Sequence, residues 1–301
     1  MNILITGAWN CNEDELQIIR NLGHTIVFFQ DERADCDFDV KMFDGIICNS
    51  FFLYHDITLF INLSYIQTTS AGLDRIPLDY CNNNNIKVFN AKDVYSIPMA
   101  EFAISGILDL YKRKQHFFIS QSQHKWEKDR NLFELNDKTI LILGCGSVGT
   151  ECAKRIKAFG CTVYGIDIIN KESVYFDSIF SLEKLDTILP LADIVLISLP
   201  LTDKTKSLFN KQRFGIMKRN SIIVNISRGE IIDSNSLYIS VQTGALFGAV
   251  LDVFENEPLD VNSPLWSLNN VIITPHNSYA SVSNAQRLFK VIIKNLLSAK
   301  K

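Results

Sequence analysis

Thr139-Ile140-Leu141-Ile142-Leu143-Gly144-Cys145-Gly146-Ser147-Val148-Gly149 is the stretch that decides the fold class. Its first five residues form an apolar, β-branched run of strand length, and the next six spell G-x-G-x-x-G. Beyond it, Val148, Cys152, Ile156 and Phe159 recur at helical steps, and Gly160 ends the helix. A second strand-like run closes at Asp167, 18 residues past Gly149. Dinucleotide-binding folds carry their ribose-binding acid at roughly that distance, about 20 residues on. Glycines cluster by chance in many chains, so it is the strand before and the helix behind that give this pattern meaning. Gly144 permits the tight turn, Gly146 lets the backbone approach a pyrophosphate, and Gly149 lets helix and strand pack closely. The helix start, with the N–H groups of Ser147 and Val148, offers unpaired donors and a positive dipole end to phosphates. Asp167 can accept from ribose hydroxyls and would repel a 2′-phosphate. The following Ile168-Ile169-Asn170 bring no arginine to receive one, so NAD is expected over NADP.

Outward from this turn the same grammar continues. Strand-like runs at 193–199, 222–226, 246–253 and 271–274 alternate with helical ones, and the first hundred residues repeat the alternation with runs at 3–6, 25–29, 45–48, 65–69 and 87–89. Such alternation predicts α/β architecture with two parallel-sheet domains. Residues 101 to 121 read as one long helix starting after Pro98, 82–85 as a polar turn, and 281 to 297 as a last helix returning to the first domain. The expected division is residues 1–98 with 277–301, and 99–276. The 301 residues are 47% hydrophobic and 21% charged, a globular composition, and a chain of this size tends to split its core. Thirty basic against 33 acidic residues leave a net charge of −3, which does not suit a binder of nucleic acid. No apolar run approaches the roughly 18 residues of a membrane span. The first residues lack the basic region of a signal peptide, and the seven cysteines contain no Cys-x-x-Cys pair. A cytoplasmic protein with reduced core cysteines and no metal site is expected.

Ligands of such sheets bind outside the carboxyl ends of the strands. Three side chains capable of chemistry follow successive strands: Arg228, Glu257 and His276. A guanidinium grips a carboxylate through two parallel hydrogen bonds and stays charged. An imidazole can give a proton to a carbonyl oxygen and take it back. A carboxylate beside that imidazole fixes its tautomer and favours its protonated form. Each residue alone is more often structural; their joint placement is what points to catalysis.

At these residues the sequence resembles the D-isomer-specific 2-hydroxyacid dehydrogenases. Asn225-Ile226-Ser227-Arg228-Gly229 is similar to that family's arginine motif, Asp252-Val253-Phe254-Glu255-Asn256-Glu257-Pro258 to its glutamate motif and Thr274-Pro275-His276 to its histidine motif. Leu199-Pro200-Leu201-Thr202 with Thr205 resembles a cofactor-side signature, Ser70-Ala71-Gly72-Leu73-Asp74 the substrate-carboxylate loop, and Met99-Ala100-Glu101 the entry to the connecting helix. The resemblance covers nearly the whole chain. It implies NAD-linked oxidoreduction of a small 2-oxoacid or D-2-hydroxyacid in a cleft between flavodoxin- and Rossmann-like domains. Arg228 would bind the substrate carboxylate and carbonyl, His276 would be the general acid/base, and Glu257 would orient it and raise its proton affinity. Backbone N–H groups of Ala71 and Gly72 would hold the carboxylate, Pro200 and Thr205 would line the cofactor, and Asp252 would contact the nicotinamide carboxamide. Pairing into a homodimer through the cofactor domains is implied, using residues 101 to 137.

Tyr279 is bulkier than the residue often found after this histidine, and Arg75 sets a cation beside the carboxylate loop. Only 25 residues follow His276, so no C-terminal regulatory domain is expected. Two alternatives accompany the dehydrogenase reading: an idle NAD-sensing scaffold, and a dehydrogenase of another small acid such as formate or phosphite.

Overall fold

The computed structural model describes residues 1–168 and 173–299, so Ile169 and Asn170 of the expected NADP-excluding segment lie outside the described residues. The chain forms two compact units, Met1–Tyr95 with Ser281–Lys301, and Ser96–Ala280. These limits differ by three and four residues from those expected. The first helix of the second unit already begins at Ser96, and Ser278 is still tied to that unit through Asp252.

The first unit contains β1 (Asn2–Thr6), α1 (Glu13–Asn21), β2 (Thr25–Phe29), β3 (Gly45–Cys48), β4 (Tyr65–Thr68), α2 (Leu78–Asn83) and β5 (Lys87–Phe89). Its strands form a parallel sheet in the order β2-β1-β3-β4-β5. α1 starts with a reciprocal cap, Asn12 accepting from the Glu15 N–H and Glu15 accepting from that of Asn12. Part of the polar run of asparagines is helical: Asn82 and Asn83 complete α2, and the turn is left to Asn84 and Asn85.

The second unit contains α3 (Ser96–Tyr111), α4 (Lys114–Ser122), β6 (Thr139–Leu143), α5 (Ser147–Lys157), β7 (Thr162–Ile166), β8 (Ser178–Phe180), α6 (Leu185–Ile188), β9 (Ile194–Ile197), α7 (Lys211–Ile216), β10 (Ser221–Asn225), α8 (Ser234–Gln242), β11 (Leu246–Leu251) and β12 (Val271–Ile273). Its parallel sheet runs β12-β11-β10-β9-β6-β7-β8. Alternation within β6 shows why the sheet is covered on both faces. Ile140 and Ile142 join α3 and α5 residues such as Ala103, Ile107, Cys152 and Ile156, while Leu141 and Leu143 join Leu185, Phe214 and Leu237 from α6, α7 and α8. α3 lies so close to β11 that a Cβ on Gly106 would stand 2.6 Å from the Val250 side chain.

The long helix expected over 101–121 is two helices. It breaks at Arg113, whose φ of 49° is left-handed and cannot continue a helix. Pro98 sits inside the first turn of α3, where its missing N–H removes a donor that has no intrahelical acceptor. The last helix, α9 (Asn284–Ala299), returns to the first unit. Its Leu288, Ile292 and Leu296, spaced by four, pack with Ile3, Ile5, Ile47 and Tyr65, and Asn295 donates to Gln67 at 2.8 Å. Burying each such aliphatic side chain contributes about 2 kcal/mol.

No helix among the described residues is long and apolar enough to cross a membrane, and none of their His, Cys, Asp and Glu groups clusters in threes that could hold a metal ion. All seven cysteines are free thiols. Burial pushes the Cys152 thiol up to about 12 and Cys161 up to about 11, and it raises Cys48 well above its ordinary value. Titration of the native protein with a disulfide reagent at pH 8 should therefore label no more than Cys11 and Cys36, the two half-buried thiols, at an appreciable rate. Rapid release of a full complement of thiols would show that these cores open.

Candidate active site

Because every strand of the second sheet is parallel, its carboxyl ends share one edge. Along that edge, in spatial order, stand the glycine turn after β6, the Leu199–Thr205 loop after β9, Arg228 after β10, Glu257 after β11 and His276 after β12. At about 4.8 Å per strand, the row spans roughly 19 Å from the glycine turn to the histidine. A long two-headed cofactor needs its two ends served in this way.

The glycine turn has three different reasons for its three glycines. Gly144 has φ of 93°, and a Cβ there would stand 2.8 Å from the Ser198 backbone. A Cβ on Gly149 would fall 1.9 Å from the Gly144 oxygen. A Cβ on Gly146 would meet no other side chain or loop among the described residues within 4 Å, so the space over it is open. α5 begins directly behind with no side-chain cap on its first N–H groups. Asp167 accepts the Cys145 N–H at 2.7 Å, which sets the acid at the lip of the turn. Open space over Gly146, uncapped N–H donors at Ser147 and Val148, and an acid at the end of β7 fit a dinucleotide diphosphate and its ribose. Ser198 escaped the sequence reading; its hydroxyl donates toward the Leu143 and Gly144 carbonyls at 3.1 and 2.9 Å and fills the contact that the glycines leave. In the next loop the buried Thr205 hydroxyl donates to the Pro200 carbonyl and accepts the Thr202 N–H, both at 2.8 Å, leaving Pro200 exposed.

His276 Nδ1 lies 2.8 Å from Glu257 Oε2. An ionised carboxylate only accepts, so Nδ1 carries the proton of this bond and Nε2 is the ring nitrogen that does not face Glu257. Both side chains keep more than a third of their surface, so the pair is accessible. Glu257 Oε1 accepts the Phe254 N–H at 3.1 Å, fixing the carboxylate from behind. His276 itself has φ of 51°, a left-handed conformation that costs a non-glycine residue of order 1–3 kcal/mol.

Asp252 holds that turn together. The expectation that it contacts a nicotinamide carboxamide meets a different arrangement: Asp252 has no exposed surface, and its carboxylate faces inward. It accepts from Thr274 Oγ1 at 2.7 Å and from the Asn277 and Ser278 N–H groups at 2.8 and 2.9 Å, while its carbonyl accepts the His276 N–H at 2.8 Å. These bonds offset the strain at His276. The signal available in the sequence was only the acid at the end of a strand.

Arg228 is half-buried, and its Nη1 donates to the Ser227 carbonyl at 2.8 Å. Asn225, 1% exposed, braces the arginine loop by accepting from Ser227 and donating to the Arg228 carbonyl at 2.9 Å. A Cβ on Gly229 would fall 1.9 Å from the Phe254 carbonyl carbon. Only glycine lets the arginine and glutamate loops lie so close. In the first unit, the Ser70–Gly72 loop is held by Thr68, Ser70 and Asn90 side chains donating to the carbonyls of Ser70, Gly72 and Ala71. With those carbonyls turned to its own donors, the N–H groups of Ala71 and Gly72 meet no acceptor among the described residues.

The family model for "D-isomer specific 2-hydroxyacid dehydrogenase, NAD binding domain" matches residues 104–278. A glyoxylate reductase of Thermofilum pendens is 34% identical over 248 residues, 80% of this chain and 73% of its own. A hydroxypyruvate reductase of Thermotoga maritima is 35% identical over 229 residues, 75% of this chain and 74% of its own. The crystal structure of a D-lactate dehydrogenase from Aquifex aeolicus, complexed with NAD and lactic acid, aligns with a TM-score of 0.80 at 25% identity, covering 99% of this chain and 95% of its own. With the geometry and these likenesses together, the chain belongs to the D-isomer specific 2-hydroxyacid dehydrogenase family, and residues 104–278 match its NAD-binding domain.

Proposed function

We propose that this chain interconverts a small 2-oxoacid and the corresponding D-2-hydroxyacid with His276 as the general acid/base and Arg228 as the substrate anchor. The observation that carries this reading is the His276–Glu257 pair at 2.8 Å, with Nε2 left for substrate, on the sheet edge that also bears the dinucleotide cradle. An idle cofactor-sensing scaffold has no use for such a pair.

NAD(H), when bound, supplies or receives the hydride at C2. Gly146, Ser147 and Val148 would hold its diphosphate through backbone N–H groups, with Gly144 and Gly149 shaping the turn around it, Asp167 would hold its ribose, and Pro200 and Thr205 would border it. The Arg228 guanidinium pairs with the substrate carboxylate and polarises the carbonyl. As the carbonyl is reduced, the imidazolium form of His276 gives its Nε2 proton to the oxygen, and the neutral imidazole left behind keeps its Nδ1 proton, hydrogen-bonded to Glu257. In the other direction the same nitrogen takes the hydroxyl proton. Asp252 acts by fixing the histidine turn. Exposed Phe118, Ile119 and Trp126, the last 94% exposed, support pairing of two copies through the 101–137 segment.

NADH oxidation with glyoxylate, hydroxypyruvate, pyruvate, 2-ketoisocaproate and phosphohydroxypyruvate tests the reaction; no turnover with any would overturn it. His276→Ala should lower kcat by about 10²–10⁴ while NADH binding, followed by fluorescence titration, stays intact. A near-normal rate would refute the acid/base role. Asp167→Asn removes the charge that repels a 2′-phosphate and should narrow the preference for NAD over NADP by about tenfold; an unchanged ratio would show that another group reads the ribose. In sedimentation analysis the wild type should be a dimer and Trp126→Glu a monomer, whereas a monomeric wild type would remove the pairing.

A further inference from the structure

The His276 imidazole sits on a turn, and 40% of its side chain is exposed, so core packing does not set the plane of the ring. The bond to Glu257 fixes one ring atom, Nδ1. A single hydrogen bond holds a point and lets the ring rock about it, which swings Nε2 on the far side. A general acid/base has to be aimed to within roughly 10–20° of the productive direction. The ring therefore needs a second restraint, one that acts on its plane.

Tyr279 stands where such a restraint is required. Its ring centroid lies 6.3 Å from that of His276 with the two planes at 79°, an edge-to-face pair. The backbone on either side of the tyrosine is tied down. Ser278, 2% exposed, donates its N–H to Asp252 Oδ2 at 2.9 Å, and the Ala280 N–H donates to the Asn277 carbonyl at 3.0 Å. Asp252 Oδ1 takes the Asn277 N–H, and the Asp252 carbonyl takes the His276 N–H, both at 2.8 Å. Histidine and tyrosine thus share one braced turn of the second unit. The tyrosine side chain is 46% exposed and belongs to none of the buried apolar clusters, so filling the core does not account for a large aromatic residue here.

We propose that Tyr279 is a positioning residue for His276: its ring, set nearly at right angles to the imidazole, fixes the plane that Glu257 leaves free. The role belongs to the aromatic ring and not to its hydroxyl. It rests on the reading of His276 as the general acid/base and involves residues of the second unit alone.

The test compares Tyr279→Phe, Tyr279→Leu and Tyr279→Ala in the full chain, with the 2-oxoacid that the wild type reduces best. Tyr279→Ala should lower kcat about three- to tenfold, the worth of one edge-to-face pair. KM should change less than kcat, and the Kd of NADH should stay as it is. Tyr279→Phe should keep the wild-type kcat, whereas Tyr279→Leu, with bulk but no flat ring, should lose as much as Tyr279→Ala. A Phe variant as slow as the Ala variant assigns the effect to the hydroxyl and overturns the proposal. A Leu variant as fast as the wild type overturns it too, since bulk alone would then suffice. So does a loss confined to KM, which would make Tyr279 a substrate contact. If Tyr279→Ala does not fold, the Phe and Leu variants decide. Ring motion gives a readout independent of turnover. In protein isotope-labelled at histidine Cε1, the His276 signal, identified by its absence from His276→Gln, should show a lower NMR order parameter in Tyr279→Ala and an unchanged one in Tyr279→Phe. An unchanged order parameter in Tyr279→Ala overturns the proposal whatever the rates. A wild type that reduces no 2-oxoacid defeats the acid/base reading, while the order parameter still decides whether Tyr279 holds the ring.

Discussion

Parallel pairing constrains everything else in this molecule. Parallel strands need crossover helices, which cover both sheet faces, so β6, β9 and β10 are apolar on each side and have no face left for chemistry. Reactive side chains are pushed to the row of carboxyl ends. Five loops there, from Gly144 to His276, inherit their spacing from the sheet and are rigid at their roots.

Within that row, the fine geometry is set by backbone contacts and buried polar groups more than by the reactive residues themselves. Gly229 lets the arginine loop touch the glutamate loop at Phe254, and Phe254 in turn donates to Glu257. Asp252 gathers Thr274, His276, Asn277 and Ser278 about one buried carboxylate and its carbonyl. In the first unit Glu32 does the same for residues 49 to 55. An acid enclosed by donors costs desolvation but gains several directed bonds, and it leaves a loop with one conformation.

The fold class and the sheet-edge placement of Arg228, Glu257 and His276 were legible in the sequence, because both follow from short-range periodicity and from where the apolar runs stop. The glycine turn was legible for the same reason. What could not be read depended on neighbours distant in the chain. Nothing in Lys112-Arg113-Lys114 announces that the helix ends there, since arginine is an ordinary helix former. β8 is three residues long and is a strand only because β7 pairs with it. Asp252 and Asp167 are both acids after apolar runs, yet one is enclosed and the other lies at the lip of a turn. Ser198 and Glu32 carried no pattern at all, and Asn225 stood in the arginine motif with nothing to show that it braces the loop.

The return of α9 to the first unit gives the chain an order in time. During synthesis the Ile3, Ile5, Ile47 and Tyr65 face is made first, but its cover, Leu288, Ile292 and Leu296, is made last. Residues 96–280 emerge in between, an interval of roughly 10–40 s at ordinary elongation rates. The second unit has all its own segments during that interval, whereas the first, with Ile19 of α1 already on that sheet face, must leave the part that α9 covers bare until that helix arrives. The nascent protein is thus asymmetric in its exposure to aggregation and to chaperones, with its oldest residues the last to be protected.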